Sequence, residues 1–321
     1  MPALEKQQYI DLLFYMKQTR RLEEKLVELY KQGKIYGGLY SSLGQEAIST
    51  GTTYALGPDD VVAPVIRNIA SVLIKGYTPK EVFCQYLARI DGPTRGKDTT
   101  LHFGEIERGT VAPISIIGPQ IPIMAGVALA GKMSGKKMVS LTYIGDGGTS
   151  TGDFHEGLNF ASVQRLPFIL VIENNQYAYS TPVSKQSNLK NLVDRAKGYN
   201  IPSSQVDGND VIAIYEATVR ARELCLAGEG PFLMECLTFR RKGHAEHDDA
   251  RYVPKEMLTE WIEKDPIVRY TKFLLSKGII QDSDIISMEE RIDVELDKAR
   301  EEALESPFPS PEDAPSGVFA E

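Results

Sequence analysis

The chain has 321 residues, 42% of them hydrophobic and 25% charged, and its 36 basic and 44 acidic side chains leave a formal net charge of −8. This is the composition of a globular enzyme with a large core, and it excludes disordered and fibrous classes. The acidic balance, with no long basic run, argues against a nucleic-acid or anionic-membrane surface.

Met1 to Gln8 lacks a basic stretch leading into an apolar one, and no run of about 18 apolar residues follows anywhere, so a cytoplasmic protein is expected. From Leu12 to Tyr30, apolar residues recur at Leu12, Met16, Leu22, Leu26 and Leu29 among many charges, the period of a long amphipathic helix. Gly33, Gly37 and Gly38 end it, and a second helix is expected after Gly44, with Gln45 and Glu46 in its first turn. Thr78-Pro79-Lys80-Glu81 supplies an N-cap, a first-turn proline and an acidic first turn for a helix over Val82 to Arg89. Asp91 to Pro122 is rich in Gly, Pro, Thr and Ser, too long for a plain connector, and is expected to form loops facing a ligand.

Strands and helices then alternate: strand 138–144, helix 153–164, strand 167–172, helix 210–227 and strand 232–238. Such alternation predicts an α/β fold, a parallel sheet with helices on both faces. The pattern after Pro254 is helical and charged, notably from Met288 to Leu304, and Ser306 to Pro315 carries four prolines and no period. Length alone allows roughly two domains, but α/β folds often use such a length as one. A single domain over 1–321 is expected, with an N-terminal helical region at 1–60, C-terminal helices at 255–305 and a polar tail at 306–321. Cys84, Cys225 and Cys236 lie in apolar patterns without a Cys-x-x-Cys pair and read as reduced core residues.

The chemistry concentrates at Ile144-Gly145-Asp146-Gly147 and Glu173-Asn174-Asn175-Gln176-Tyr177, with Asn175 lying 29 residues after Asp146. That spacing is one strand–helix–strand crossover, so an aspartate and an amide fall at the carboxyl ends of adjacent strands, where open parallel sheets bind ligands and where the two can share a metal ion. Glycines 145, 147 and 148 allow close backbone approach to a phosphate. Two rival motifs fail. A dinucleotide fingerprint needs glycine where Ser150 stands, and the P-loop-like run from Gly126 to Lys132 is followed by Met133, which has no hydroxyl for magnesium.

Gly145-Asp146-Gly147, the crossover and the closing Asn174-Asn175 resemble the thiamin-diphosphate and magnesium motif. Together with Gly44-Gln45-Glu46-Ala47, Gln205-Val206-Asp207-Gly208 and Arg241-Lys242-Gly243-His244, they resemble the alpha subunit of the decarboxylating first component of 2-oxo acid dehydrogenase complexes, over about residues 10 to 275. The resemblance implies a thiamin-diphosphate-binding fold with helical additions at both ends. It also implies decarboxylation of a pyruvate-like or branched-chain 2-oxo acid with reductive acyl transfer to a lipoyl group.

The same resemblance assigns residues. Magnesium is expected on the Asp146 carboxylate, the Asn175 side-chain oxygen and the Tyr177 carbonyl, and the terminal phosphate on Arg67 in Val65-Ile66-Arg67-Asn68, where Ile66 replaces a polar or aromatic neighbour. His244, on a loop over the site mouth, reaches the phosphate and the reacting centre as the catalytic histidine. His102 matches a position near the cofactor, and Tyr36, Leu39 and Tyr40 match the acyl pocket. His247 with Asp248 and Asp249 reads as a solvated acidic loop rather than a second metal site. Animal members carry a regulatory serine directly after the first histidine; Ala245 stands there in this chain. The glutamate that activates the aminopyrimidine comes from a separate beta subunit in this family, which implies a heterotetramer of two alpha and two beta chains and a lipoyl-bearing acyltransferase partner. Two other readings use the same residues: the alpha subunit of an acetoin dehydrogenase, and a non-catalytic, cofactor-free homologue.

Overall fold

The computed structural model describes residues 4–317. Five parallel strands form the sheet, β1 (Val61–Ala63), β2 (Ser140–Gly145), β3 (Phe168–Asn174), β6 (Ser203–Asp207) and β7 (Phe232–Leu237), in the order β1-β2-β3-β7-β6. A two-residue hairpin, β4 (Tyr177–Ala178) with β5 (Thr181–Pro182), stands apart from the sheet.

Alternation along the strands sorts two apolar cores onto opposite faces. Val139, Leu141, Tyr143, Ile169, Val171, Met234 and Cys236 point into one, with residues of α1 (Lys6–Lys31), α2 (Glu46–Tyr54), α3 (Ile69–Ile74), α4 (Pro79–Tyr86), α7 (Val211–Leu226), α9 (Pro266–Ser276) and α10 (Asp282–Glu305). Ile144, Phe168, Leu170, Ile172 and Leu233 point into the other, against α5 (Gln120–Met133) and α6 (Gly152–Val163). A short helix, α8 (Lys255–Glu263), precedes α9.

The expected elements are present with shifted ends. The helix launched by Thr78 carries the anticipated capping box but stops at Tyr86, before Ala88 turns left-handed at φ 53°. Ser203–Asp207 escapes the sequence reading because it is a polar edge strand, and Val61–Ala63 because three residues show no period. Between Asp91 and Pro122 there is one short 3-10 turn, Ile106–Arg108, and Pro122 itself lies in the first turn of α5.

The terminal helices are built into the core. Leu12, Leu13, Met16, Leu22 and Leu26 of α1, and Ile292 and Leu296 of α10, are fully buried. The polar tail docks as well: Ile90 N–H donates to the Pro307 carbonyl at 3.0 Å, and Arg89 lies 3.9 Å over the Phe308 ring. The three cysteines are free and buried. Among the described residues no helix is long and apolar enough to cross a membrane.

Truncating Leu22, which is fully buried between α1 and the rest of this core, should cost about 2–5 kcal/mol in a urea titration of Leu22→Ala. A loss within experimental error would mean that α1 is peripheral to the cooperative unit.

Candidate functional site

The site forms at the carboxyl ends of β2 and β3, the central pair of the crossover. Gly145 pairs with Glu173, so Asp146 and Asn175 leave neighbouring strands at nearly the same level. Beyond Gly145 the chain enters a 3-10 turn, Asp146–Ser150, and Thr151 then caps α6 by accepting from Phe154 N–H. Gly147 and Gly148 have no room for a side chain: a Cβ would meet Ala178 Cβ at 2.4 Å in the first case and Ile144 Cδ1 at 2.4 Å in the second, whereas Gly145 faces open space.

Asp146 is 2% exposed, and burial raises its carboxyl above the ordinary range. Gln186 Nε2 donates to its Oδ2 at 2.7 Å. The two adjacent asparagines divide their work. Asn174 turns into the fold and donates to Glu235 at 2.7 Å, while Asn175 donates from Nδ2 to Gln45 Oε1 at 3.1 Å. That bond leaves Asn175 Oδ1 buried without a hydrogen-bond partner, a costly condition unless something electropositive meets it. The Tyr177 carbonyl accepts from Arg240 Nη1 at 3.0 Å, which uses one of its two lone pairs. No group of three or more His, Cys, Asp or Glu side chains is placed for a metal among the described residues. One carboxylate with neutral oxygens is, however, a donor set that suits magnesium shared with a phosphate.

Two buried guanidiniums adjoin these oxygens, Arg240 close to Asp146 and Arg67 close to Arg240. Asn68 sets the turn that presents Arg67, accepting from Val65 N–H at 2.8 Å and donating to Glu173 at 2.7 Å. Arg67, 5% exposed, donates from Nη1 to the Ser41 carbonyl at 2.7 Å and from Nη2 to the His244 carbonyl at 2.6 Å. Arg240, 3% exposed, donates to the carbonyls of Tyr177, Tyr179 and Lys242 and to the Tyr252 hydroxyl. Neither is among the ion pairs of the described residues. Burial, then the nearby Arg240, lowers the Arg67 pKa to about 10. Glu173 and Glu23 act on Arg67 and Asp146 is near Arg240, but only at longer range, so the two guanidiniums lie in the fold without a direct carboxylate contact.

His244 lies beside both. Its ring packs against Tyr40 at 5.4 Å and Tyr179 at 4.9 Å between centroids, and its backbone N–H donates to Asp248 Oδ2 at 2.7 Å. Tyr252 donates to the same carboxylate oxygen at 2.6 Å. Burial, then the charges of Arg67 and Arg240, lowers the imidazole pKa to about 4, so the free site holds it neutral.

The fold therefore gathers Asp146, Asn175, Tyr177, Arg67, His244 and Tyr40. It leaves others aside. His102 bonds to Asp98 at 3.3 Å and Ser115 at 3.1 Å, and touches the group only indirectly, through a loop whose Ile117 lies beside Gly148. Tyr36 is 60% exposed, and the Leu39 side chain belongs to the main core. Arg240 is the buried side chain at this site that the sequence does not single out; its one signal is its place just past the carboxyl end of an expected strand.

The family described as "Dehydrogenase E1 component" matches residues 15–312. The chain is 36% identical over 321 residues to the 2-oxoisovalerate dehydrogenase subunit alpha of Bacillus subtilis (strain 168), covering 99% of this chain and 97% of that one. It is 39% identical over 306 residues to the pyruvate dehydrogenase E1 component subunit alpha of Staphylococcus aureus (strain MW2), covering 94% of this chain and 80% of that one. The chain belongs to the E1 dehydrogenase family, the thiamin-diphosphate-dependent 2-oxo acid dehydrogenases, and is related to their alpha subunits.

The low imidazole pKa has a measurable sign. Folded His244 stays neutral down to about pH 4, whereas the unfolded side chain protonates near 6.5, so this group erodes stability as pH falls between those values. Histidine-labelled protein should show one imidazole by NMR that does not titrate from pH about 8 to about 5, and diphosphate should move its midpoint upward. A His244 midpoint near the ordinary value in the free protein would contradict the electrostatics described above.

Proposed function

We propose that this chain is the alpha subunit of a 2-oxo acid dehydrogenase, which carries out oxidative decarboxylation with reductive acyl transfer to a lipoyl group. The observation that carries the reading is the pair of neighbouring buried guanidiniums, Arg67 and Arg240, the second close to the buried Asp146 carboxylate, together with the unpartnered Asn175 Oδ1 at the end of the next strand. That arrangement suits a diphosphate bridged to a divalent cation. Relatives of both the pyruvate and the 2-oxoisovalerate kind are similar to the chain, so the reading takes in both substrate types.

Asp146, Asn175 Oδ1 and the Tyr177 carbonyl would hold magnesium, and Arg67 and Arg240 the phosphate oxygens. Thiamin diphosphate, when bound, supplies the nucleophilic carbon and the electron sink for breaking the bond beside a carbonyl. The chain's part is to anchor, orient and move protons. His244 in its neutral form can accept a proton, and the approach of the diphosphate's negative charge makes it a better acceptor. Tyr40 and Tyr179 fix its ring plane.

On this reading residues 1–321 act as one cofactor-binding domain in a cytoplasmic heterotetramer of two alpha and two beta subunits, serving a lipoyl-bearing acyltransferase. Its three cysteines, free and buried, are at home in a reducing compartment. The outer face of α5 favours a protein partner. This helix is apolar nearly all round; Ile121, Met124, Ala125 and Ala128 are buried against the sheet, yet Ile123 is 42% and Met133 80% exposed. A helix with apolar residues on every side is ordinarily covered on every side. Ile116 and Ile117, 72% and 58% exposed, extend that surface to the Asp146 turn.

Asp146→Asn should weaken magnesium-dependent thiamin diphosphate binding about tenfold or more in calorimetric titration, with the circular dichroism unchanged, because the site loses its one charged metal ligand. Wild-type affinity in that variant would remove Asp146 from the metal site. The second check uses an artificial electron acceptor: the isolated chain should not support 2-oxo acid oxidation, and the pair with its beta subunit should. Full activity from this chain alone would place the missing carboxylate within it and end the two-subunit reading.

A further inference from the structure

Glu23 is a buried carboxylate that this chemistry does not use. It faces inward from α1, 4% exposed, and accepts from Ser41 Oγ at 2.7 Å and from Ser42 N–H at 2.9 and 2.8 Å, one distance to each carboxylate oxygen. A buried carboxylate is expensive, and burial pushes its pKa up to about 7. What it secures is an irregular segment rather than a helix or strand.

That segment carries two bonds of the site. The Ser41 carbonyl accepts from Arg67 Nη1 at 2.7 Å, and the Leu39 carbonyl accepts from Glu246 N–H, two residues past His244, at 2.9 Å. Ser41 Oγ, held by Glu23, also accepts from Leu43 N–H at 3.1 Å, closing the turn toward Gln45. Glu23 is moreover one of two carboxylates near enough to favour the charged form of Arg67, the other being Glu173, which bonds Asn68. A helix laid down at the start of the chain is thus joined through four residues to the guanidinium and to the histidine loop.

We propose that Glu23 is a positioning residue for Arg67: it fixes the 39–42 segment so that the Ser41 carbonyl aims the guanidinium at the cofactor's terminal phosphate while the Leu39 carbonyl holds the His244 loop alongside. The inference rests on the reading of Arg67 as a diphosphate ligand. A merely structural carboxylate would lower stability without depending on Arg67. A positioning carboxylate acts through it.

The test is a double-mutant cycle read by calorimetric titration of thiamin diphosphate with magnesium into the chain paired with its beta subunit. Glu23→Ala should weaken binding about tenfold, and Glu23→Gln, which keeps an acceptor oxygen, less than about threefold. Added to Arg67→Ala, the same Glu23→Ala change should cost less than about twofold. Equal losses on both backgrounds, or no loss in the first, would overturn the inference. If Glu23→Ala does not fold, Ser41→Ala carries the test, with about a threefold loss expected in the native background and none beside Arg67→Ala; no loss in the native background again overturns it. Undiminished affinity in Arg67→Ala alone would instead strike down the diphosphate role of Arg67, a distinct result that removes the ground beneath the Glu23 link.

Discussion

Two guanidinium groups buried without a direct ion pair impose the main constraint on this molecule. Taking such charges out of water costs several kcal/mol each, even after relaxation. Arg67 and Arg240 are held through carbonyl oxygens and a phenol instead. Carbonyl dipoles stabilise a cation without neutralising it, so the positive potential survives at the mouth of the sheet. Each bond also ties a distant segment to the site. Ser41, Tyr177, Tyr179, Lys242, His244 and Tyr252 come from three separate stretches of chain, and the two arginines hold them together. The geometry of the loops and the electrostatics of the site are one arrangement.

Peripheral ion pairs keep that arrangement in register. Arg20 on α1 bonds Glu46 at 2.7 Å and Asp265 at 2.8 Å, and Arg241 shares the same Asp265. Glu46 in turn accepts from Gly44 N–H at 3.0 Å, next to the Gln45 that orients Asn175. The adjacent pair Arg240 and Arg241 therefore splits. One side chain turns in to the site without a direct ion pair, and the other turns out to a carboxylate that fixes the backbone between them. Had both formed ion pairs, the positive potential at the site would be reduced.

How much of this was readable beforehand follows from what each feature depends on. Asp146 and Asn175 were legible because a strand–helix–strand crossover has nearly fixed dimensions, and two apolar runs marked its strands unambiguously. The helix over Leu12 to Tyr30 was legible by period. Arg240 was not, since three consecutive cations, Arg240, Arg241 and Lys242, look alike until the sheet decides which one points inward. Glu23 had no signal either: it stands among the charges of an amphipathic helix, and only the return of residues 41 and 42 buries it. His102 shows the converse. Its sequence neighbourhood matched, but its hydrogen bonds go to its own loop.

The buried charges of the site are of opposite sign, and the proposed reading turns on that. Asp146, buried and with its carboxyl pKa raised, gains from a cation; Arg67 and Arg240 gain from an anion. A metal ion alone would relieve the carboxylate while adding to the repulsion already felt by the guanidiniums, and a free diphosphate would do the reverse. On the proposed reading a magnesium–diphosphate unit satisfies both halves together, with Asn175 Oδ1 meeting the metal. Each component then makes the other's binding more favourable through the protein's own fixed charges as well as through their direct contact. The neutral His244, whose basicity is suppressed first by burial and then by those same guanidiniums, recovers the second part when they are neutralised. On the proposed reading, binding the diphosphate and raising the basicity of His244 are linked through the same two guanidiniums.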